Sequence, residues 1–125
     1  WTPQPDIVRR WTEWSGKPCM ITEFYAKGTD SGMANTTGAG WLVHTQAERG
    51  AFYQNFALAL MESKTCVGWH WFKYMDNDPA DPKTDPSNKD SNKGMFSATY
   101  EPYQPLLDAM RELNTRVYSI IDDFN

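Results

Sequence analysis

Helical and strand-like segments alternate along this chain, and this order constrains the fold more than any other feature. Two short apolar runs, residues 19–25 and 66–72, have the length and composition of buried strands. Helical periodicity precedes, separates and follows them, over residues 5–15, about 45–63 and from about 103 onward. The order predicts parallel strands that are joined by right-handed helical crossovers.

Local signals mark the ends of these segments. Pro5 suits the first turn of the first helix, and Gly16 ends that helix. Thr45 and Glu48 have the spacing of a capping box at the start of the second helix. The apolar face predicted for the first helix consists of Ile7, Trp11 and Trp14.

Each predicted strand is followed closely by a long polar loop, residues 26–40 and 76–95. In α/β barrels and open α/β sheets the carboxyl ends of parallel strands carry the active site, and Glu23 and Trp71 stand at these ends. A complete (β/α)8 barrel needs ~250 residues, whereas this chain has 125. The prediction for residues 1–125 is therefore the C-terminal portion of a larger barrel, incomplete as a single chain.

Composition excludes several classes of protein. The formal net charge is -4, the pI is near 5.0 and no basic stripe is present, which argues against a nucleic-acid partner. No apolar run approaches the ~18 residues that a membrane span needs. Cys19 and Cys66 have no metal-binding spacing. If Glu23 shares a face with Trp69 and Trp71, strand alternation places the two thiols on opposite faces, so we expect free, buried thiols. No cofactor is predicted.

Glu23 is the first candidate for chemistry, because it interrupts the apolar run MITEFY. An ionised carboxylate in a dry site is costly unless partners or a ligand compensate it. Spacing alone leaves three roles open for this residue: nucleophile, general base, or structural partner of an arginine.

Aromatic residues form the second candidate group. Trp69 and Trp71 alternate with His70 and Phe72, so the two indoles share one strand face. We expect this face to be the one that carries Glu23, with Trp71 as an apolar platform for a sugar ring and His70 toward the outer helices. The alternative is that the indoles fill the interior, which suits Trp69 better than Trp71.

The acidic loop raises the question of a cation. A calcium loop counted from Asp76 would have Asp81 where glycine is required and Ser87 where glutamate is required. Asp-Pro and Ser-Asn pairs are ordinary turn chemistry, so we favour turns and predict no metal site.

Five blocks of the chain resemble the β-agarases of glycoside hydrolase family 50: TEFYAKGTDSG, NTTGAGW, TQAERGAFYQNF, GWHWFKYMDNDP and DPSNKDSNKG. The resemblance implies a retaining (β/α)8 enzyme, of which this chain supplies about strands 7 and 8 with helices 6 to 8. It implies that Glu23 is the catalytic nucleophile. The substrate-binding residues that it implies are Trp71, Trp69, Tyr25, Lys73, Asp76, Asn77 and Asp78.

The chain departs from the family pattern in one respect. Such enzymes carry an acid/base glutamate at the end of the fourth strand, usually in an Asn-Glu pair, and this chain has no Asn-Glu dipeptide. We therefore expect the isolated chain to be inactive and, if it folds alone, to self-associate through its open strand edges.

The expected substrate of the whole protein is a galactan such as agarose, and the expected compartment is periplasmic or extracellular. Two alternatives remain open: a non-catalytic carbohydrate-binding module, and a structural or interaction α/β domain with buried tryptophans. The alternation of strands and helices favours the enzyme, since binding modules are more often all-β.

Overall fold

The computed structural model describes residues 4–125. Three α-helices and two six-residue strands follow the predicted order, and the structure adds two strands of three residues each and a short fourth α-helix. In chain order the elements are α1 (Pro5–Ser15), β1 (Cys19–Phe24), β2 (Ala26–Gly28), β3 (Trp41–Val43), α2 (Gln46–Glu62), β4 (Cys66–Trp71), α3 (Gln104–Asn114) and α4 (Val117–Asp123). No helix in this part of the chain is long and apolar enough to cross a membrane.

The strands form two small parallel sheets. β1 pairs with β4, so that Cys19 lies opposite Cys66 and Phe24 lies opposite Trp71. β2 pairs with β3. The helix α2 connects β3 to β4 and crosses over the β1–β4 pair, which confirms the predicted parallel pairing around a helical crossover. The described residues thus form a mixed α/β arrangement.

The predicted helix ends are confirmed by their caps. Gly16 adopts φ 65° after α1, and its N–H donates to the Thr12 carbonyl at 2.8 Å. At the start of α2 the Thr45 hydroxyl accepts a hydrogen bond from the Glu48 N–H at 3.1 Å. The Glu48 carboxylate in turn accepts from the His44 N–H at 2.6 Å.

The apolar core lies between α2, the β1–β4 pair and α3. Phe24 of β1 stacks on Phe56 of α2 with ring centroids 4.1 Å apart. Gly50 lets α2 and α3 approach closely, because a Cβ added there would lie 2.6 Å from the Ala109 Cβ. This contact explains a glycine in the first turns of a helix, where it otherwise weakens helix formation.

The apolar face predicted for α1 is wrong. Ile7, Trp11 and Trp14 are exposed, Trp14 by 74%, and the buried residue of this helix is Val8. Val8 belongs to the core cluster, so α1 is oriented with Ile7, Trp11 and Trp14 toward solvent.

The first long loop is more structured than predicted. Residues 26–40 contain β2, and β3 follows directly at Trp41. Lys27, in the middle of β2, is buried, and its ammonium donates to the carbonyl oxygens of Asn35, Thr37 and Gly38 at 3.3, 3.4 and 2.9 Å. The loop therefore closes around this ammonium group.

The two cysteines are free thiols, as predicted, but the predicted geometry is wrong. Cys19 and Cys66 are register partners, and both side chains are half-buried against the same core cluster. They share a face because that core lies on the helix side of both strands.

Candidate functional site

Glu23 is the second-to-last residue of β1, and its side chain is exposed. The β1–β4 ladder is irregular between Ile21 and Phe24, and Thr22 and Glu23 are both exposed across this irregularity. Among residues 4–125, Glu23 is the only carboxylate that lies in a strand. It also lines an open groove together with Trp41.

Tyr25 follows directly and is coupled to Glu23. Burial raises the pKa of Tyr25, and the negative charge of Glu23 together with a hydrogen bond between the two side chains raises it further. The phenol therefore remains protonated and can donate to the carboxylate. Its ring is held from one side by the backbone of Gly40, where an added Cβ would lie 2.6 Å from the ring.

Lys93 and Phe72 complete the surroundings of Tyr25. The buried Lys93 ammonium lies 3.8 Å from the Tyr25 ring centroid and donates to the Asn88 side chain at 2.7 Å. Burial lowers the pKa of Lys93, and the positive charge of Lys27 lowers it further, whereas Glu23 opposes the shift. Phe72 lies 5.7 Å from Tyr25 between ring centroids.

The face predicted for the two tryptophans is wrong. Trp69 donates its indole N–H to the Tyr53 hydroxyl of α2 at 2.9 Å, and Trp71 donates to the Lys93 carbonyl at 2.8 Å. Both rings therefore pack on the helix side, where buried indole N–H groups find acceptors. His70 is exposed on the opposite face rather than turned toward the helices.

Because both tryptophans face the helices, neither is the aromatic ring expected beside Glu23. Trp71 packs edge-on against Phe24 and Tyr53, with centroid separations of 5.5 and 6.0 Å. Such packing argues against a role for Trp71 as a sugar platform. Phe72, one residue later, contacts Tyr25, which follows Glu23 by two residues, and the peptide bond after Phe72 is cis.

Lys73 and Asn77 lie together beside Phe72. The half-buried Lys73 ammonium donates to the Asn77 side-chain oxygen and lies 5.9 Å from the Phe72 ring centroid. Burial lowers the pKa of Lys73. Asp78, in contrast, is exposed, and its carboxylate accepts from the Ala80 N–H at 2.8 Å, which is the turn chemistry that the sequence favours.

Asp76 requires a correction, because it is only 1% exposed and does not reach the surface. One carboxylate oxygen accepts from the backbone N–H groups of Lys93 and Gly94 at 2.8 and 2.6 Å. The other accepts from the Asn92 amide at 2.8 Å and the Tyr103 hydroxyl at 2.7 Å. Asp76 is therefore the internal anchor of the second loop and not a substrate contact.

Arg49 of α2 is a buried cation that the sequence interpretation missed. Its guanidinium donates to the carbonyls of Ala26 and Gly94, both at 2.9 Å, and to the Gln46 side chain at 2.6 Å. Burial lowers the pKa of Arg49 to about 10, although Asp76 opposes the shift. A signal was present, since Arg49 keeps helical phase with three buried residues of α2: Tyr53, Phe56 and Leu60.

The two long loops are bound to each other through Asp90. Its carboxylate accepts hydrogen bonds from the backbone and hydroxyl groups of both Thr36 and Thr37. Burial would raise the pKa of Asp90, but these hydrogen bonds outweigh it and hold the pKa well below its usual range. Asn92 adds a second link, because its N–H donates to the Asn35 side chain at 2.8 Å.

No group of three or more His, Cys, Asp or Glu side chains that could hold a metal ion was found among residues 4–125. The site as built offers one exposed carboxylate, a phenol that can donate to it, two ammonium groups and exposed aromatic surface. This combination suits an uncharged, hydroxyl-rich ligand and a nucleophilic or basic carboxylate.

The chain is similar to individual β-agarases and to solved structures of agarases. No protein-family model matches the chain. β-Agarase B of Vibrio sp. (strain JT0107) is 34% identical over 104 residues, which are 83% of this chain and 10% of that protein. The crystal structure of BpGH50 superposes over 100% of this chain and 25% of its own, with a TM-score of 0.87 and 41% identity. An exo-β-agarase structure matches 94% of this chain and 15% of its own, with a TM-score of 0.76 and 27% identity.

Each match covers most of this chain but only a small part of the matched protein. The chain spans about a tenth of the length of the curated relative and about a quarter of the length of BpGH50. What it shares with these proteins is therefore a segment, present in each of them within a much longer polypeptide.

Proposed function

Because the chain belongs to the β-agarases of glycoside hydrolase family 50, of which it corresponds to a part, we propose that the whole protein hydrolyses β-glycosidic bonds in a galactan such as agarose. The observation that carries the proposal is Glu23, the one strand carboxylate among residues 4–125, exposed at the exit of β1 beside a protonated phenol. We further propose that β1 and β4 are the seventh and eighth strands of a (β/α)8 barrel, with α1, α2 and α3 as helices 6 to 8. Their parallel pairing and the long loops at their carboxyl ends support this assignment.

In the proposed mechanism Glu23 is the nucleophile of a retaining hydrolase. Its carboxylate attacks the anomeric carbon and forms a glycosyl ester, while an acid donates a proton to the departing sugar oxygen. Water then cleaves the ester, and the same acid, now a base, removes the proton from the water. Exposure of Glu23 supports this role, because the attacking oxygen must reach the substrate.

Tyr25 and Lys93 orient the nucleophile. The Tyr25 phenol donates to the Glu23 carboxylate, which leaves the remaining lone pairs available for attack. The Lys93 ammonium, 3.8 Å from the ring centroid, and the Gly40 backbone fix the plane of the phenol. A nucleophile held within a narrow range of orientations loses less entropy on reaching the transition state.

The sugar contacts are proposed to differ from those that the sequence implied. Phe72 lies beside Tyr25, and Trp41 is 56% exposed in the groove that Glu23 lines, so these two rings replace Trp69 and Trp71 as apolar surface for the substrate. Lys73 and Asn77, half-buried beside Phe72, remain candidates for hydrogen bonds to sugar hydroxyls.

The acid/base residue is proposed to come from another part of the protein. A retaining mechanism requires a second carboxyl group about 5 to 5.5 Å from the nucleophile. Of the five other glutamates of this chain, Glu101 lies three residues before α3 and the rest lie in helices: Glu13, Glu48, Glu62 and Glu112. We propose accordingly that the isolated chain is inactive and self-associates, and that the whole protein works in the periplasm or outside the cell, where polysaccharide is available.

Replacement of Glu23 in the full-length protein tests the proposal. E23Q keeps the shape but removes the nucleophile, so turnover of agarose oligosaccharides should fall by at least ~10³-fold, while calorimetry still detects sugar binding. E62Q, at the exposed end of α2, is the matched control and should retain activity. Retained turnover in E23Q would refute the assignment.

A small nucleophile distinguishes the proposed role from that of a general base. With E23A and azide, a retaining enzyme should release a glycosyl azide of the anomeric configuration opposite to that of the substrate, because azide replaces the carboxylate on its own face of the sugar. An azide product with the substrate's configuration, or no restored turnover with an activated substrate, would contradict the nucleophile assignment. Sugar binding by the 125-residue chain alone, without hydrolysis of the β-linkage by the full-length protein, would favour a binding module.

A further inference from the structure

The two thiols lie at corresponding positions in neighbouring strands. Cys19 is the first residue of β1, Cys66 is the first residue of β4, and the two are register partners. Both side chains are half-buried against the same core cluster, so they point to the same side of the sheet. Neither belongs to the site around Glu23, which lies at the other end of β1, about 13 Å away at ~3.3 Å per residue.

Paired residues in neighbouring strands are about 4.7–4.9 Å apart, and disulfides form across Cα separations of about 4.4–6.8 Å. We propose that Cys19 and Cys66 are a redox-active dithiol that a small-molecule disulfide oxidises to an intramolecular cross-link between β1 and β4. The proposal does not depend on the proposed function, since it concerns the strand ends remote from Glu23.

The surroundings assign an order to the reaction. Cys66, but not Cys19, lines a groove with Lys64 and Tyr118, where a small disulfide can approach it, and its thiol donates to the Gly68 carbonyl at 3.2 Å. Burial raises the pKa of the Cys19 thiol, which reduces the fraction of thiolate at this position. Cys66 is therefore the sulfur that reacts first, and Cys19 is the resolving thiol.

The chemistry balances with glutathione disulfide as the oxidant. The Cys66 thiolate attacks one sulfur of the oxidant, forms a mixed disulfide and expels one glutathione thiolate. The Cys19 thiolate then attacks the Cys66 sulfur and expels the second glutathione. Each chain loses two protons and two electrons, and one molecule of oxidant becomes two of reduced glutathione.

The consequence is a covalent link at the start of the β1–β4 pair. The register of this pair shifts directly after Cys19, before Met20. A disulfide at this point fixes the alignment of the two strands where the backbone ladder is irregular. Such a bond persists in oxidising compartments and is reduced by cytosolic thiols.

The test uses the 125-residue chain and glutathione disulfide, with free thiols and intact mass measured over time. In the wild type, the number of free thiols should fall from two per chain to none, and the mass should fall by two hydrogens. No disulfide should link one chain to another. C19S should accumulate a single glutathione adduct at Cys66, and C66S should react about tenfold more slowly.

Three results would overturn the proposal: stable glutathione adducts on the wild type without an internal bond, disulfide-linked dimers as the main product, or equal rates for the two serine variants. Circular dichroism of both variants checks that they fold. If either fails to fold, peptide mapping of the wild type after brief oxidation gives the same answer, because the first adduct should be found on Cys66.

Discussion

The substitution D76N should remove much of the stability of this chain while leaving its shape unchanged. All four groups that contact the Asp76 carboxylate are donors: two backbone N–H groups on one oxygen, and the Asn92 amide and Tyr103 hydroxyl on the other. A carboxamide has one oxygen, so its NH2 group must face two donors whichever way it turns.

The size of the expected loss in stability follows from the two hydrogen bonds that D76N removes. Bonds to a charged group contribute about 1.5–3 kcal/mol each, so D76N should lower the free energy of unfolding by about 3–6 kcal/mol. The whole stability of a domain is about 5–15 kcal/mol, and this loss is a large part of it. Y103F removes one of the four bonds and should cost about 1.5–3 kcal/mol.

Urea unfolding of the 125-residue chain, followed by circular dichroism, measures these differences. D78N is the matched control, because Asp78 is exposed and asparagine can accept the same turn hydrogen bond from Ala80; it should change stability by no more than ~0.5 kcal/mol. If the free energy of unfolding of D76N lies within ~1 kcal/mol of the wild-type value, the stabilisation by four converging donors is refuted.

Two further predictions concern helix packing and acid stability. G50A should lower the free energy of unfolding by about 1–2 kcal/mol in urea, because overpacking against Ala109 outweighs the gain in helix propensity; a stabilised variant would contradict the close α2–α3 approach. For Asp90 the folded-state pKa is depressed, so its stabilisation is present above the unfolded pKa of about 3.9 and is lost as the pH falls below it. D90N should therefore have a free energy of unfolding about 1–3 kcal/mol below that of the wild type at pH 7. In urea titrations below about pH 4 this difference should become smaller. A difference that does not change with pH would contradict the linkage.

Local signals predicted the longer elements well. Pro5 and Gly16 bound α1 at its observed ends, and the apolar runs locate β1 and β4 to within one residue. The strands β2 and β3 were missed, because three residues are too few to show a period of two and their pairing joins residues about 15 apart.

The site was predicted in part. Alternation correctly separated Trp71 from Phe72, but it gives no information on which face meets the helices. That is decided by an acceptor distant in sequence, the Lys93 carbonyl, 22 residues from Trp71. The family resemblance placed Asp76 among the substrate-binding residues, whereas its burial depends on partners 16 to 27 residues away.

The bonds that Asp90 and Asn92 make to the first long loop have a consequence for protein engineering. A loop taken from a relative and inserted after β1 alone would meet an Asp90 without its threonine donors and an Asn92 without its asparagine acceptor. The loops after β1 and β4 must therefore be exchanged together, as one cassette, and sequence changes in one of them should be accompanied by changes in the other among homologous enzymes.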